Sequence, residues 1–148
     1  KTSGPLAAVF AVTQQPPLPF LTFLFLWLFF WEIGGQNIPN DLTDVDADRR
    51  LQAKTIPIRF GVRTSIRMIV LSLCLCMVFS AALFFLLPET TGWIYPAGLV
   101  LAGIYFLLLP AVDLLKTRST EKAFALFNRA SYYPLALLTI LAISFLIR

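Results

Sequence analysis

The chain has 148 residues, 58% hydrophobic and 14% charged, with a mean hydropathy of +0.79. Soluble domains sit near about 45–50% apolar and about 25% charged, so these figures exclude a water-soluble domain and a disordered one alike. Twelve Lys and Arg against eight Asp and Glu give a net charge of +4. The basic residues fall between long uncharged runs, which points to a lipid bilayer and away from nucleic acid.

There is no histidine, which removes His-ligated metals and His acid–base catalysis. Cys74 and Cys76 lie inside an apolar run and are expected to be buried, inert thiols. The chain opens at Lys1 directly in an apolar stretch with no signal peptide visible. Residues 1–148 are therefore expected to be the carboxy-terminal part of one longer membrane-embedded domain.

A spanning helix needs about 20 mostly apolar residues. No residue from Thr2 to Trp31 is charged, and Gln14-Gln15-Pro16-Pro17 splits that stretch. This predicts a short first segment over Leu6–Thr13 and a crossing over Leu18–Gly34. Phe20, Phe23, Phe25, Trp27, Phe29, Phe30 and Trp31 crowd the crossing, and lipid contact and helix packing are their ordinary work. Further crossings are predicted over Met68–Pro88, Thr90–Val112 and Ala130–Ile147. A polar loop over 35–67, a tight turn at Pro88–Trp93 and a loop over 113–129 join them. Pro96, Pro110 and Pro134 are expected to kink or cap helices. The fold class is all-α: a polytopic membrane helix bundle of four to five spanning helices.

The first long loop holds Arg49, Arg50, Lys54, Arg59, Arg63 and Arg67, and the second holds Lys116, Arg118, Lys122 and Arg129. The turn between holds Glu89 and no basic residue. The positive-inside rule puts both long loops in the cytoplasm. The expected location is a cell membrane, the inner membrane of a bacterium, crossed several times.

The informative stretch is Asn37-Ile38-Pro39-Asn40-Asp41-Leu42-Thr43-Asp44-Val45-Asp46-Ala47-Asp48-Arg49-Arg50. Asp41, Asp44 and Asp48 stand at i, i+3 and i+7, within about 60° of one helix face. Asn37 joins them if the helix survives Pro39, and Asp46 points elsewhere. Converging carboxylates suit a hard cation, and Mg²⁺ takes one or two carboxylates together with substrate phosphate oxygens. Arg49, Arg50, Lys54 and Arg59 follow closely. Carboxylates, Mg²⁺ and basic side chains together can hold a diphosphate. On spacing alone, a solvated acidic–basic loop that merely sets topology fits equally well. A calcium loop starting at Asp44 fails, because Arg49 replaces the required Gly and Thr55 the required Glu.

The string Asn40-Asp41-x-x-Asp44-x-x-x-Asp48-Arg49, followed by Lys54-Thr55-Ile56-Pro57-Ile58-Arg59-Phe60-Gly61, resembles the second aspartate-rich motif of the UbiA superfamily of intramembrane prenyltransferases. That motif runs D-x-x-D-x-x-x-D and continues into K-T-(I/L)-P-(V/I)-x-(F/Y)-G. Ala125-Leu126-Phe127-Asn128-Arg129-Ala130-Ser131-Tyr132-Tyr133 is similar to the segment opening the family's last helix.

The resemblance implies a nine-helix fold around a cavity, with two facing aspartate-rich motifs that bind a prenyl diphosphate through Mg²⁺. It implies Asp41, Asp44 and Asp48 as metal ligands and catalytic groups. Lys54 is then the catalytic cation on the diphosphate, joined by Arg49, with Asn37 and Asn40 as supporting ligands. The substrates implied are a polyprenyl diphosphate and an aromatic acceptor of the 4-hydroxybenzoate or naphthoate type, in quinone biosynthesis. A heme or chlorophyll side-chain transferase of the same superfamily is the alternative. A cation transporter fragment is the rival outside it, but the last three apolar runs hold no ionisable residue at their cores. The family's first motif, N-D-x-x-D-x-x-x-D, is absent from these residues. The missing amino-terminal half is expected to supply it, and the chain alone is expected to be inactive.

Glu32, near the end of an apolar helix, is a candidate for function or for headgroup contact. Trp27, Phe30 and Trp31 are packing residues first and cavity walls second. Gly34-Gly35 is expected to permit close helix packing or a turn. Asp113, Tyr132 and Tyr133 are expected at interfaces or helix contacts. Lys116, Arg118 and Lys122 are topology anchors first and lipid-headgroup or diphosphate contacts second.

Overall fold

The structure is a computed structural model and describes residues 18–86 and 93–146. The predicted segment Leu6–Thr13, Glu89 and most of the Pro88–Trp93 turn lie outside the described residues. Every element among the described residues is helical. Four helices are long and apolar enough to cross a membrane: Leu18–Thr43, Val62–Leu83, Ile94–Thr117 and Thr120–Ser144.

The first spanning helix begins as α1 (Leu18–Trp31), widens into a π-helical stretch over Glu32–Asn37, and continues as α2 (Ile38–Thr43). Two short helices follow, α3 (Val45–Arg50) and α4 (Ile56–Phe60), and then the long α5 (Val62–Leu86). The third spanning helix comprises α6 (Ile94–Gly103), a second π-helical stretch over Ile104–Leu108, and α7 (Leu109–Thr117). The last comprises α8 (Thr120–Ser131) and α9 (Tyr133–Leu146).

Each π-helical stretch ends two residues before a proline, Pro39 or Pro110. Proline offers no N–H and its ring presses on the carbonyl one turn back. A wider turn ahead of the ring relieves that contact without ending the helix. Pro134 stands in the first turn of α9, where an N–H is unsatisfied in any case.

The four spans pack as a bundle. Phe30 stacks on Phe79 of α5 at 5.6 Å between centroids, and Trp27 packs tilted against Tyr133 at 6.4 Å. Gly34 and Gly35 sit where three helices crowd together. A methyl on Gly34 would lie 2.8 Å from Ser72 Cβ, and one on Gly35 would lie 2.9 Å from Ala130 Cβ. Trp31 Nε1 donates to the Ala130 carbonyl oxygen at 2.8 Å, tying the same crossing point. These aromatic side chains are helix contacts, and the glycine pair is a packing device.

Several expectations need correction. The region from 35 to 67 is mostly helical rather than a polar loop, and the first crossing runs on to Thr43. The third span runs to Thr117, not Val112, and 113–129 is helix apart from a short turn at Arg118-Ser119. Apolar runs mark the lipid-facing length, whereas the helices continue beyond it as long as they pack on each other. Cys76 is buried, but Cys74 is exposed on the bundle surface. Tyr133 is fully buried and shares a 3.0 Å hydrogen bond with Ser80, whereas Tyr132 is exposed.

Candidate functional site

The acidic segment forms at the end of the first span. Asp44 breaks the helix slightly (φ −102°, ψ 9°). Even so, the Asp44 N–H donates to Asn40 at 3.3 Å and the Asp48 N–H donates to Asp44 at 2.9 Å. Helical bonding therefore bridges the break, and the i, i+3, i+7 register of Asp41, Asp44 and Asp48 survives. Ile38, Leu42 and Val45 are the buried stripe. At 100° per residue the three aspartates lie about 90° from that stripe, along its flank. Asp41 and Asp48 are half-buried, and Asp44 and Asp46 are exposed. The Asp41 carboxylate lies within electrostatic reach of Asp48 and Asp44.

The Asp41 carboxylate also lies near the backbone N–H of Ile56, the first residue of α4, which offsets part of that repulsion. First-turn N–H groups have no partner inside the helix, and a negative charge beside them is favourable. Thr55, the residue before α4, supplies no cap of its own. Its Oγ1 is buried without a hydrogen-bond partner.

The chain reverses after α3 through a left-handed turn. Gln52 has φ 53°. The Ala53 N–H donates to the Asp48 carbonyl at 2.9 Å and the Gln52 N–H to the Arg49 carbonyl at 3.4 Å. This is the paired bonding of a Schellman cap. Beyond α4 a second positive φ, 81° at Gly61 with ψ 155°, launches α5.

The reversal brings basic residues together. Arg49, Gln52, Ala53, Lys54, Ile58 and Arg59 line one hollow of about 620 Å³. Among the described residues the one ion pair is Arg49 with Asp46 at 3.7 Å, and both ends are exposed. Such a pair is weak, and Lys54 and Arg59 have no acidic partner among the described residues.

The structure thus brings together Arg49, Lys54 and Arg59, three of the four basic residues that follow the aspartates, and adds Gln52, which spacing did not single out. The signal for Arg59 was its position five residues after Lys54, one short helix away; nothing in the sequence marks Gln52 as a left-handed residue. Asn37 and Asn40 stand exposed at the start of α2, and the helix does survive Pro39. Among the described residues no three carboxylates or thiols converge closely enough to hold a metal ion by themselves. The three aspartates form an electrostatically coupled row rather than a closed nest.

A model of the UbiA prenyltransferase family matches residues 2–146. The chain belongs to the UbiA prenyltransferase family. Compared with curated proteins and with solved structures, it matches none. As a UbiA protein with four membrane-length helices it is a multi-pass membrane prenyltransferase, whose substrates are a prenyl diphosphate and an acceptor. UbiA enzymes use Mg²⁺ in binding the diphosphate.

Proposed function

We propose that this UbiA protein transfers a polyprenyl group from its allylic diphosphate to an aromatic acceptor of the 4-hydroxybenzoate or naphthoate type, in quinone biosynthesis. The observation that carries the reading is the hollow of about 620 Å³ ringed by Arg49, Lys54 and Arg59, directly after the aspartate row and at a membrane-length helix end. The acceptor class rests on the resemblance of the Asp41–Gly61 segment to the family's second motif.

The donor set fits Mg²⁺. The ion takes one or two carboxylates and fills its remaining positions with phosphate oxygens and water, so an open row suits it where a closed nest is not needed. Asp41, set close to two like charges, is the kind of carboxylate a cation relieves. Asp41, Asp44 and Asp48 would hold the ion, with Asn37 and Asn40 in support. Bound there, Mg²⁺ supplies Lewis-acid stabilisation of the departing diphosphate.

The chain's own groups do the rest. Lys54 and Arg49 neutralise diphosphate oxygens, Arg59 adds a third cation, and Arg guanidinium geometry suits two oxygens at once. The buried Thr55 hydroxyl has a hydrogen bond to give. The apolar bundle below keeps water from the allylic cation, which water would quench. Ten basic residues lie in the two connections at the end of the bundle that carries this segment, which supports a cytoplasmic position for it in a bacterial inner membrane.

The test is prenyl transfer by the intact enzyme carrying Asp44→Ala, Asp48→Ala or Lys54→Ala. Each should lower kcat by at least about 100-fold, as loss of a single charge-stabilising group does, with helical content unchanged by circular dichroism. Chelating Mg²⁺ should stop turnover and adding it back should restore it. A near-normal rate in either aspartate variant sinks the assignment.

A further inference from the structure

A second cluster of cations stands apart from the Lys54 hollow and shares no residue with it. Arg63, Arg67 and Arg118 line a hollow of about 240 Å³ together with Ile66 and Leu115. Arg63 and Arg67 are one turn apart at the start of α5, and Arg118 follows the end of α7. Chain connectivity puts all three at the end of the bundle that carries the acidic segment, where spanning helices leave the lipid.

Three guanidiniums around one hollow repel each other. Among the described residues no carboxylate lines the hollow, and none of the three arginines forms an ion pair. At about 30 Å³ per water, the space has room for roughly eight waters, enough for a phosphate group. Arg118 adds an independent sign. It caps α7 in the left-handed conformation (φ 53°, ψ 29°), its N–H bonded to the Leu114 carbonyl at 2.8 Å. Glycine is the usual residue there. An arginine bears backbone strain at this position, and it lines the hollow from the end of α7.

We propose that Arg63, Arg67 and Arg118 bind a phosphate group. Its source is the headgroup of an anionic phospholipid, with the exposed Leu115 meeting the apolar part beneath it. Arginine binds phosphate oxygens in pairs, and the interfacial position presents lipid phosphates at high local concentration. The inference does not depend on the prenyl-transfer reading.

The test is native mass spectrometry of the purified chain in mild detergent, titrated with phosphatidylglycerol or phosphatidylcholine. The wild type should retain one phosphatidylglycerol in preference to phosphatidylcholine. Arg63→Gln, Arg67→Gln and Arg118→Gly should each weaken retention about fivefold, the effect of one basic residue near an anionic surface. Arg118→Gly should unfold at or above the wild-type temperature, since it relieves the left-handed residue, so its loss of lipid is not loss of fold. Arg118→Lys should retain more lipid than Arg118→Gly. Inorganic phosphate that fails to displace the lipid supports the headgroup source. Inorganic phosphate that binds and displaces it supports the phosphate site but overturns the lipid source. Equal phosphatidylglycerol retention by the wild type and the triple variant overturns the proposal.

Discussion

Two positive-φ residues shape the segment between the first two spans, and they arise from opposite choices. Gly61, at φ 81° and ψ 155°, occupies a region that is almost glycine-only. A Cβ there would meet nothing within 4 Å, so the demand is conformational and not steric crowding. Gly61→Ala should therefore destabilise the fold by about 1–3 kcal/mol. Gln52, at φ 53°, stands where a Schellman cap prefers glycine. Gln52→Gly should stabilise by about 1 kcal/mol, the penalty of a side chain in that conformation. Denaturant unfolding in detergent, followed by circular dichroism, checks both, and shifts in the same direction would refute the contrast. The glycine was legible as the end of the K-T-I-P-I-R-F-G string. The glutamine was not, because its conformation is imposed by the reversal and not by its own preference.

The glycine pair in the first span illustrates how helices meet in a bundle that hydrophobic contrast cannot assemble. Lipid tails are as apolar as leucine, so close contact between small residues and interhelical hydrogen bonds hold the helices together. Gly34 abuts Ser72 Cβ, the Ile69 carbonyl and Leu73. Part of that wall is backbone and cannot move aside. Gly34→Ala should cost about 1–3 kcal/mol, as overpacking generally does. Adding Ser72→Gly should recover part of the loss, because the Cβ contact is then gone. No recovery in the double variant would show that the Ile69 carbonyl sets the penalty. Helix ends were the poorest reading at this level. Uncharged runs placed the crossings, but not the polar turns that extend them to Thr43 and Thr117, because those turns are kept by packing against neighbouring helices.

The assembled bundle raises the question of what completes the site. The 148 residues contain one aspartate-rich motif, and its carboxylates form an open row. We propose that transfer needs a second acidic motif, contributed from outside these residues. The chain alone should bind prenyl diphosphate weakly and show no turnover, and co-reconstitution with a polypeptide carrying N-D-x-x-D-x-x-x-D should restore it. Turnover by the purified chain alone would remove the need for a partner motif. Membrane insertion, the helical class, the family and the acidic string could all be read from the linear chain. They depend on composition and on short-range spacing, which folding does not alter. The closing of one hollow by Gln52 and Arg59 beside Arg49 and Lys54, and the arginine cluster at Arg118, could not. Each depends on a chain reversal or on contact between distant helices, and those follow from backbone geometry and packing that no local pattern encodes.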